Sequence, residues 1–223
     1  MRKVNRSSLI IAGIAAIFAG LVYLFAWSSI FSVSTIAVTG APTSDSKSAI
    51  LTMANVLPGE KLARVEPRSI ATRISTITWV KSVDISRNWI NGHVDISVTA
   101  RTPTAYFNGS TIDSTGTVFV LPGFAGGSLP TVSAANPTIG LAAINLFQTL
   151  PPSFKADVTS LSARDTSNFT LHLMVEGRDL QIAWGKNEKT TLKIEVINSL
   201  LALPENKNIK KIDITAPHAP IVK

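Results

Sequence analysis

The feature that most constrains this chain is a long stretch without charge near its start. No charged residue occurs between Ser7 and Ser44, and the 22 residues from Leu9 to Ile30 are almost all apolar. At about 1.5 Å per residue, a helix of that length spans the ~30 Å hydrocarbon core of a bilayer. The sequence therefore predicts a transmembrane helix at residues 9–30, preceded by a short tail of residues 1–8.

The distribution of basic residues predicts the orientation of this helix. Three basic residues lie in the first six positions, and the next one along the chain is Lys47. Cytoplasmic flanks carry the excess of Lys and Arg, so the N-terminus is expected in the cytoplasm and everything after Ile30 outside. A cleaved signal peptide would have an apolar region of only about 7–15 residues followed by small residues. Bulky Phe25 and Trp27 near the exit favour an uncleaved anchor.

The segment after the apolar run has the pattern of a small α+β domain, placed at residues 31–102. Five runs with strand or helix periodicity follow one another. They predict, in order, a strand, two helices and two strands at 31–40, 43–57, 66–77, 79–89 and 93–101. Asn91-Gly92 between the last two is typical of a type I′ hairpin turn. The order β-α-α-β-β predicts two helices on one face of a three-stranded sheet.

The composition changes at Thr102-Pro103, and a second outer domain is placed at residues 103–223. Short strands punctuated by Asn and Gly come first. Helices are predicted at 138–150 and 186–205, with three antiparallel strands between them at 158–165, 169–177 and 179–185. The second helix is predicted to face the core through Leu192, Val196, Leu200 and Leu203. These patterns predict a mixed β-sheet with packed helices, so the chain belongs to the α+β class.

Few residues are arranged for catalysis or metal binding. The chain has no cysteine, which excludes disulfides, thiolate metal sites and a cysteine nucleophile. Its three histidines are far apart, and neither a P-loop nor a recognisable carboxylate pair is present. The net charge of +7 is modest, and the basic residues beyond the tail are scattered rather than gathered in a stripe as in nucleic-acid binders. We therefore expect no catalytic residue, no metal, no cofactor and no nucleic-acid partner.

The last predicted strand, Ile209–Thr215, alternates polar and apolar residues as a half-buried strand does. Pro217 and Pro220 follow, and proline is confined to the edges of sheets. With no later strand predicted, the outer side of this strand is expected to stay unpaired. Such an edge accepts a strand from another protein through main-chain hydrogen bonds. The residues expected to bind a partner are Ile209, Lys211, Asp213, Thr215, Ala216, Pro217 and His218.

Several local patterns resemble the FtsQ/DivIB family of bacterial cell-division proteins. The most specific is TIDSTGTVFVLPG at residues 111–123, with Ile112-Asp113 followed by Gly116. Other matching segments are WVKSVDISRNW (79–89), ISVTARTPTAYF (96–107), AWGKNEKTTLKIEVINSLL (183–201) and KIDITAP (211–217). They stand in the family's order behind a single apolar segment. Family members often have a proline where this chain has Ile90.

The resemblance implies a POTRA domain followed by the family's β domain, in a single-pass type II protein of the cell membrane at the division septum. It implies a non-enzymatic scaffold of the divisome that links early and late division proteins and helps control septal peptidoglycan synthesis. The implied partners are FtsB/DivIC-like and FtsL-like bitopic proteins and, through them, the septal peptidoglycan synthase complex. A membrane-anchored cell-envelope assembly protein or cell-wall-modifying protein stays open as the alternative.

Overall fold

The structure is a computed structural model that describes residues 6–27, 31–127 and 129–223. Residues 1–5 of the predicted tail and residues 28–30 of the predicted membrane span lie outside the described residues. The chain divides into two compact units, Met1–Ala100 and Arg101–Lys223. Each unit has its own sheet, and the two are described separately below.

Helix α1 contains most of the apolar run of the first unit. It spans Arg6–Trp27, which is 22 residues. The apolar side chains described along it are exposed, with Ile11 at 67% and Phe18 at 68% of their full accessible area. Among the residues that the structure describes, no helix has both the length and the apolar character needed to cross a bilayer.

The rest of the first unit has the predicted order β-α-α-β-β. Its elements are β1 (Thr35–Thr39), α2 (Ser44–Ala54), α3 (Pro67–Ile74), β2 (Val80–Asn88) and β3 (His93–Ala100). In the sheet, β3 lies between β1, which runs parallel to it, and β2, which is antiparallel. The α+β prediction is confirmed for this part of the chain. Apolar side chains from both helices and the sheet form one core: Ile50, Ala54, Ile70, Ile74, Val94, Ile96 and Val98.

The turn between β2 and β3 differs from the predicted two-residue type I′ turn. The connection is four residues long, Trp89–Gly92, and only Gly92 has a positive φ, at 73°. Asn88 makes this possible, because its side-chain oxygen accepts a hydrogen bond from the Ile90 N–H at 3.0 Å. The prediction was wrong because a side chain outside the Asn-Gly pair stabilises a longer turn.

The second unit is built on a nine-stranded mixed sheet. Its strands are β4 (Ala105–Phe107), β5 (Ser110–Ile112), β6 (Val118–Phe119), β7 (Thr131–Ala134), β8 (Val158–Asp165), β9 (Asn168–Val175), β10 (Arg178–Gly185), β11 (Lys211–Asp213) and β12 (Ile221–Val222). Their spatial order is β12-β11-β10-β9-β8-β7-β4-β5-β6. The pairs β4–β7, β7–β8 and β10–β11 are parallel and the others are antiparallel, so the predicted mixed sheet is confirmed.

Three α-helices and a short 3-10 helix accompany this sheet. They are α4 (Pro137–Thr149), α5 (Pro152–Asp157), α6 (Thr190–Leu201) and the 3-10 helix Pro204–Asn206. The apolar face of the central strands packs with them into one cluster that includes Leu161, Leu171, Ile182, Trp184, Ile197 and Ile212. The predicted face of α6 is confirmed in part: Val196 and Leu200 pack against the core, but the fully buried positions are Lys193 and Ile197, and Leu203 is 41% exposed.

Candidate partner-docking edge

The last residues of the chain form a strand that the sequence did not predict. Ile221–Val222 makes the two-residue strand β12, which pairs antiparallel with β11. Strand β11 is therefore covered on both sides, by β10 and by β12, and it is limited to Lys211–Asp213. The prediction that the outer side of the strand at 209–215 stays unpaired is wrong. The edge of the sheet lies one strand further out, at β12.

A tight turn brings the chain back to make this extra strand. The Ala219 N–H donates to the Ala216 carbonyl at 3.0 Å, so the four residues Ala216–Ala219 close a β-turn with Pro217 in its second position. Pro217 is buried, and Pro220 directly precedes β12. The two prolines therefore shape a reversal of the chain.

Asp213 fixes the start of the same reversal. Its Oδ1 accepts hydrogen bonds from the Thr215 N–H at 3.0 Å and the Thr215 hydroxyl at 2.7 Å. These bonds, outweighing the partial burial, hold the pKa of Asp213 below its usual value. The Thr215 N–H is thus already bonded within the chain. Thr215 also packs on Gly185, where an added Cβ would come within 2.9 Å of the Thr215 methyl.

The free edge of β12 exposes the backbone of a single residue. Lys211 and Lys223 exchange both of their main-chain hydrogen bonds, at 3.0 and 2.9 Å. Antiparallel pairs alternate between bonded and non-bonded positions, so the N–H and C=O of the next residue, Val222, point away from β11. The Ile221 side chain is 56% exposed beside them. Val222 thus offers one donor and one acceptor for pairing with another strand.

The structure brings some of the predicted partner-binding residues together and separates others. Lys211, Asp213 and Thr215 line a shallow groove of about 750 Å³ across the polar face of the sheet. Ile209 lies outside the strand and lines a different hollow, beside Lys210. The remaining three are in the turn, where Ala216 and His218 are exposed and Pro217 is buried. Whether these seven residues bind a partner stays a prediction.

The edge carries a concentration of positive charge that the sequence analysis missed. Lys211 and Lys223 face each other across the β11–β12 pair, and Lys210 donates its N–H to the Lys223 carbonyl. All three lysine side chains are exposed. The acidic residue of the β11–β12 pair is Asp213, which lies two residues after Lys211 on β11. The edge is therefore electropositive. Only the pairing register reveals this, because Lys211 and Lys223 are twelve positions apart in the sequence.

A buried lysine supports the strand that underlies this edge. Lys193 of α6 has only 1% of its area exposed, and its Nζ donates to the Trp184 carbonyl at 2.7 Å and the Lys186 carbonyl at 2.8 Å. The ammonium also lies 5.1 Å from the centre of the Trp184 ring. Burial lowers the pKa of Lys193. The side chain thus ties the end of β10 to the start of α6.

A buried carboxylate organises the other end of the second unit. Asp113 is 6% exposed, and its Oδ1 accepts hydrogen bonds from the Thr115 N–H, the Thr115 hydroxyl and the Thr117 N–H at 2.6–3.0 Å. Its Oδ2 forms an ion pair with Arg101 at 2.9 Å. Burial alone would raise the pKa of Asp113, but these bonds outweigh it and hold the pKa below the usual value. Asp113 therefore connects the first residue of the unit to the β5–β6 turn.

Within the described residues, no group of three or more His, Asp or Glu side chains is placed to hold a metal ion. The geometry that stands out is structural: a paired sheet edge, a buried lysine that supports the strand beneath it, and a buried carboxylate at the opposite end of the sheet.

Comparison with known proteins matches these features to one family. Residues 31–101 match the family model described as "POTRA domain, FtsQ-type". The chain is 29% identical over 181 residues to the cell division protein FtsQ of Mycolicibacterium smegmatis, an alignment that covers 78% of this chain and 52% of the relative. It is 31% identical over 140 residues to the cell division protein FtsQ of Salinibacter ruber, covering 58% of this chain and 51% of the relative. The chain is therefore similar to the FtsQ/DivIB family, in its POTRA domain and over most of its length.

This similarity confirms the resemblance to the FtsQ/DivIB family drawn from the sequence, including its POTRA domain at residues 31–101. The chain spans about half the length of the curated relatives it matches. Two family patterns now have a physical explanation. Ile112-Asp113 supplies the buried carboxylate, and Gly185 with Lys193 supplies the bonded end of β10.

Replacing Asp113 tests its structural role. Asp113→Ala removes every acceptor described above, and we expect the free energy of unfolding to fall by about 2–4 kcal/mol. Asp113→Asn is the matched control, because its carbonyl oxygen keeps the bonds to Thr115 and Thr117 while only the Arg101 pair is lost. Its cost is expected to be about 1–2 kcal/mol. Urea unfolding of the full chain in detergent measures both.

The contribution of Asp113 to the free energy of unfolding should fall in acid. Its pKa in the folded state lies below the ordinary aspartate value of 3.8, so the stabilisation is complete above that value and is lost as the pH falls through the folded pKa. The stability difference between the native chain and Asp113→Asn is therefore expected to shrink in acid. A difference that stays constant below pH 4 would show that the charge of Asp113 does not stabilise the fold.

Proposed function

We propose that this protein is a non-enzymatic, membrane-anchored scaffold of the bacterial divisome. It links early and late division proteins and helps control septal peptidoglycan synthesis. The observation that carries the proposal is the POTRA domain of FtsQ type at residues 31–101, followed by a mixed-sheet unit with a free edge. Both matched relatives are named as the cell division protein FtsQ.

The proposed anchor is the apolar segment 9–30, in a single-pass type II topology with the N-terminus in the cytoplasm. Its support is the absence of charge from Ser7 to Ser44 and the exposed apolar side chains along α1. The basic residues before it favour this orientation. Residues 31–102 and 103–223 are proposed to be the two outer domains, and both are placed at the division septum.

The proposed partners are an FtsB/DivIC-like and an FtsL-like bitopic protein and, through them, the septal peptidoglycan synthase complex. The proposed contact is the β12 edge, where the N–H and C=O of Val222 are directed outward. A partner strand can add there through main-chain hydrogen bonds. Lys210, Lys211 and Lys223 beside that edge favour a partner segment with acidic residues, since opposite charge raises the rate and specificity of association.

A test in the cell that encodes the protein separates this proposal from its alternative. A fluorescent fusion at the N-terminus should concentrate at mid-cell in dividing cells, and depletion of the protein should give filaments without septa. A membrane-anchored envelope-assembly or cell-wall-modifying protein would instead give an even envelope signal and normally spaced septa after depletion. The second result would contradict the proposal.

A further inference from the structure

We propose that the tip of the β2–β3 hairpin is a second membrane contact, at which Ile90 inserts into the phospholipid interface. The contact lies beside the point where the chain leaves the bilayer. This inference rests on the proposed anchor at residues 9–30 and adds a surface of the POTRA domain to it.

Ile90 is the most exposed large apolar side chain described in the protein, with 98% of its area accessible. Single exposed apolar residues are common on soluble domains, so exposure alone does not identify a contact. The turn does not depend on this side chain. The Ile90 N–H is held by Asn88, and the next residues are held by bonds from the Ser34 hydroxyl to the Asn91 carbonyl and from the Ser34 N–H to the Gly92 carbonyl. The backbone of the tip is therefore held by hydrogen bonds, and the Ile90 side chain is exposed on it.

The position of the tip favours lipid as its partner. The Trp89 ring packs edge-on against Phe31, with 6.3 Å between the ring centres. Phe31 follows Trp27, the last residue of α1, by only four positions. Four residues extend at most ~14 Å, and the polar layer on each side of the hydrocarbon core is about 5–8 Å thick. Phe31, and the tip that packs on it, must therefore lie at or just above the membrane surface.

The composition of the tip fits that location. Trp89 lies under the Arg87 guanidinium, whose central carbon is 5.1 Å from the ring centre. The same guanidinium donates to the Leu62 and Val65 carbonyls, which fixes its position beside the ring. Lys61 pairs with Ser32 one residue from Phe31. An exposed aliphatic residue next to tryptophan and basic side chains is the combination that binds membrane interfaces.

A single label at the tip tests the contact directly. The chain has no cysteine, so Ile90→Cys carries one NBD fluorophore without further changes. The matched control is Ser82→Cys on β2, the strand that leads to the tip. Ser82 is also exposed, and at strand spacing it lies about 20 Å from Asn88, the last residue of β2. The full chain is reconstituted in phosphatidylethanolamine–phosphatidylglycerol vesicles with or without doxyl-labelled lipid. Flotation of the vesicles is measured first.

Three outcomes are informative. Quenching and a blue shift at position 90, with neither at position 82, support the contact. Chain that floats with the vesicles but is unquenched at position 90, or equally quenched at both positions, overturns the tip contact and leaves the anchor intact. Chain that does not float with the vesicles overturns the anchor itself, and the tip contact with it.

Discussion

Replacing Lys193 with alanine should lower the free energy of unfolding by about 3–5 kcal/mol. The change leaves a cavity where a fully buried side chain was, and it leaves the Trp184 and Lys186 carbonyls without the donor that both use. Lys193→Met is the matched control, because it keeps the apolar stem and removes only the charge and the donors. Its loss should be about half as large, since the methionine also avoids the cost of burying a charge. Chemical unfolding of the full chain in detergent measures both variants.

The pH dependence of the free energy of unfolding distinguishes a charged, buried Lys193 from a side chain that stabilises the fold by packing alone. Burial lowers the pKa of Lys193 from the ordinary lysine value of 10.5, so the unfolded chain binds more protons than the folded chain at any pH between the folded pKa and 10.5. The contribution of Lys193 to stability therefore grows as the pH rises towards 10.5 and is smaller at neutral pH. Lys193→Met should lose this alkaline gain. Parallel pH profiles for the native chain and the variant would contradict the burial of a charged ammonium.

Replacing Val222 with proline should weaken binding of the FtsB/DivIC-like partner by about 5- to 150-fold. The proline removes the outward N–H of β12 and leaves a carbonyl of the added strand unsatisfied, at about 1–3 kcal/mol. Val222 also packs partly against the core, so Val222→Ala is the matched control for lost packing with the N–H retained. Binding of the external segment of the proposed FtsB/DivIC-like protein is measured by titration against the full chain in detergent.

The outcomes for Val222 distinguish main-chain pairing from side-chain contact. If the edge binds by pairing, alanine should retain most of the affinity and proline should lose it while the domain stays folded. Equal affinity for the two variants would show that the partner does not pair with β12. Because the edge carries Lys210, Lys211 and Lys223, the affinity of the native chain should also fall as salt concentration rises.

The sequence was sufficient for elements with a strong periodic pattern. The alternation across residues 93–101 predicted the strand that lies at the centre of the POTRA sheet, and the helix predicted at 66–77 is present as α3, Pro67–Ile74. Long strands and amphipathic helices repeat their pattern often enough to be recognised from one sequence. The mixed sheet of the second unit was predicted in the same way.

The candidate site was less predictable because it depends on short and local features. Strand β12 has two residues, too few to show alternation, and Pro217 in the second position of a turn was its main signal. Lys193 was absent from the predicted core because a lysine breaks an apolar pattern even when two carbonyls satisfy it. The charge on the edge arises from pairing between Lys211 and Lys223, which only the register determines.

The central claim is that a division partner adds a strand to the edge of the sheet at β12. Site-specific photocrosslinking in growing cells tests it most directly, with the crosslinker at Ile221 and a control at Val120. Both side chains are exposed, at 56% and 67%, and Val120 follows β6 at the opposite end of the strand order. We expect the FtsB/DivIC-like protein to be captured from position 221 and not from position 120. Capture of that protein from position 120 alone, or equally from both, would contradict the claim.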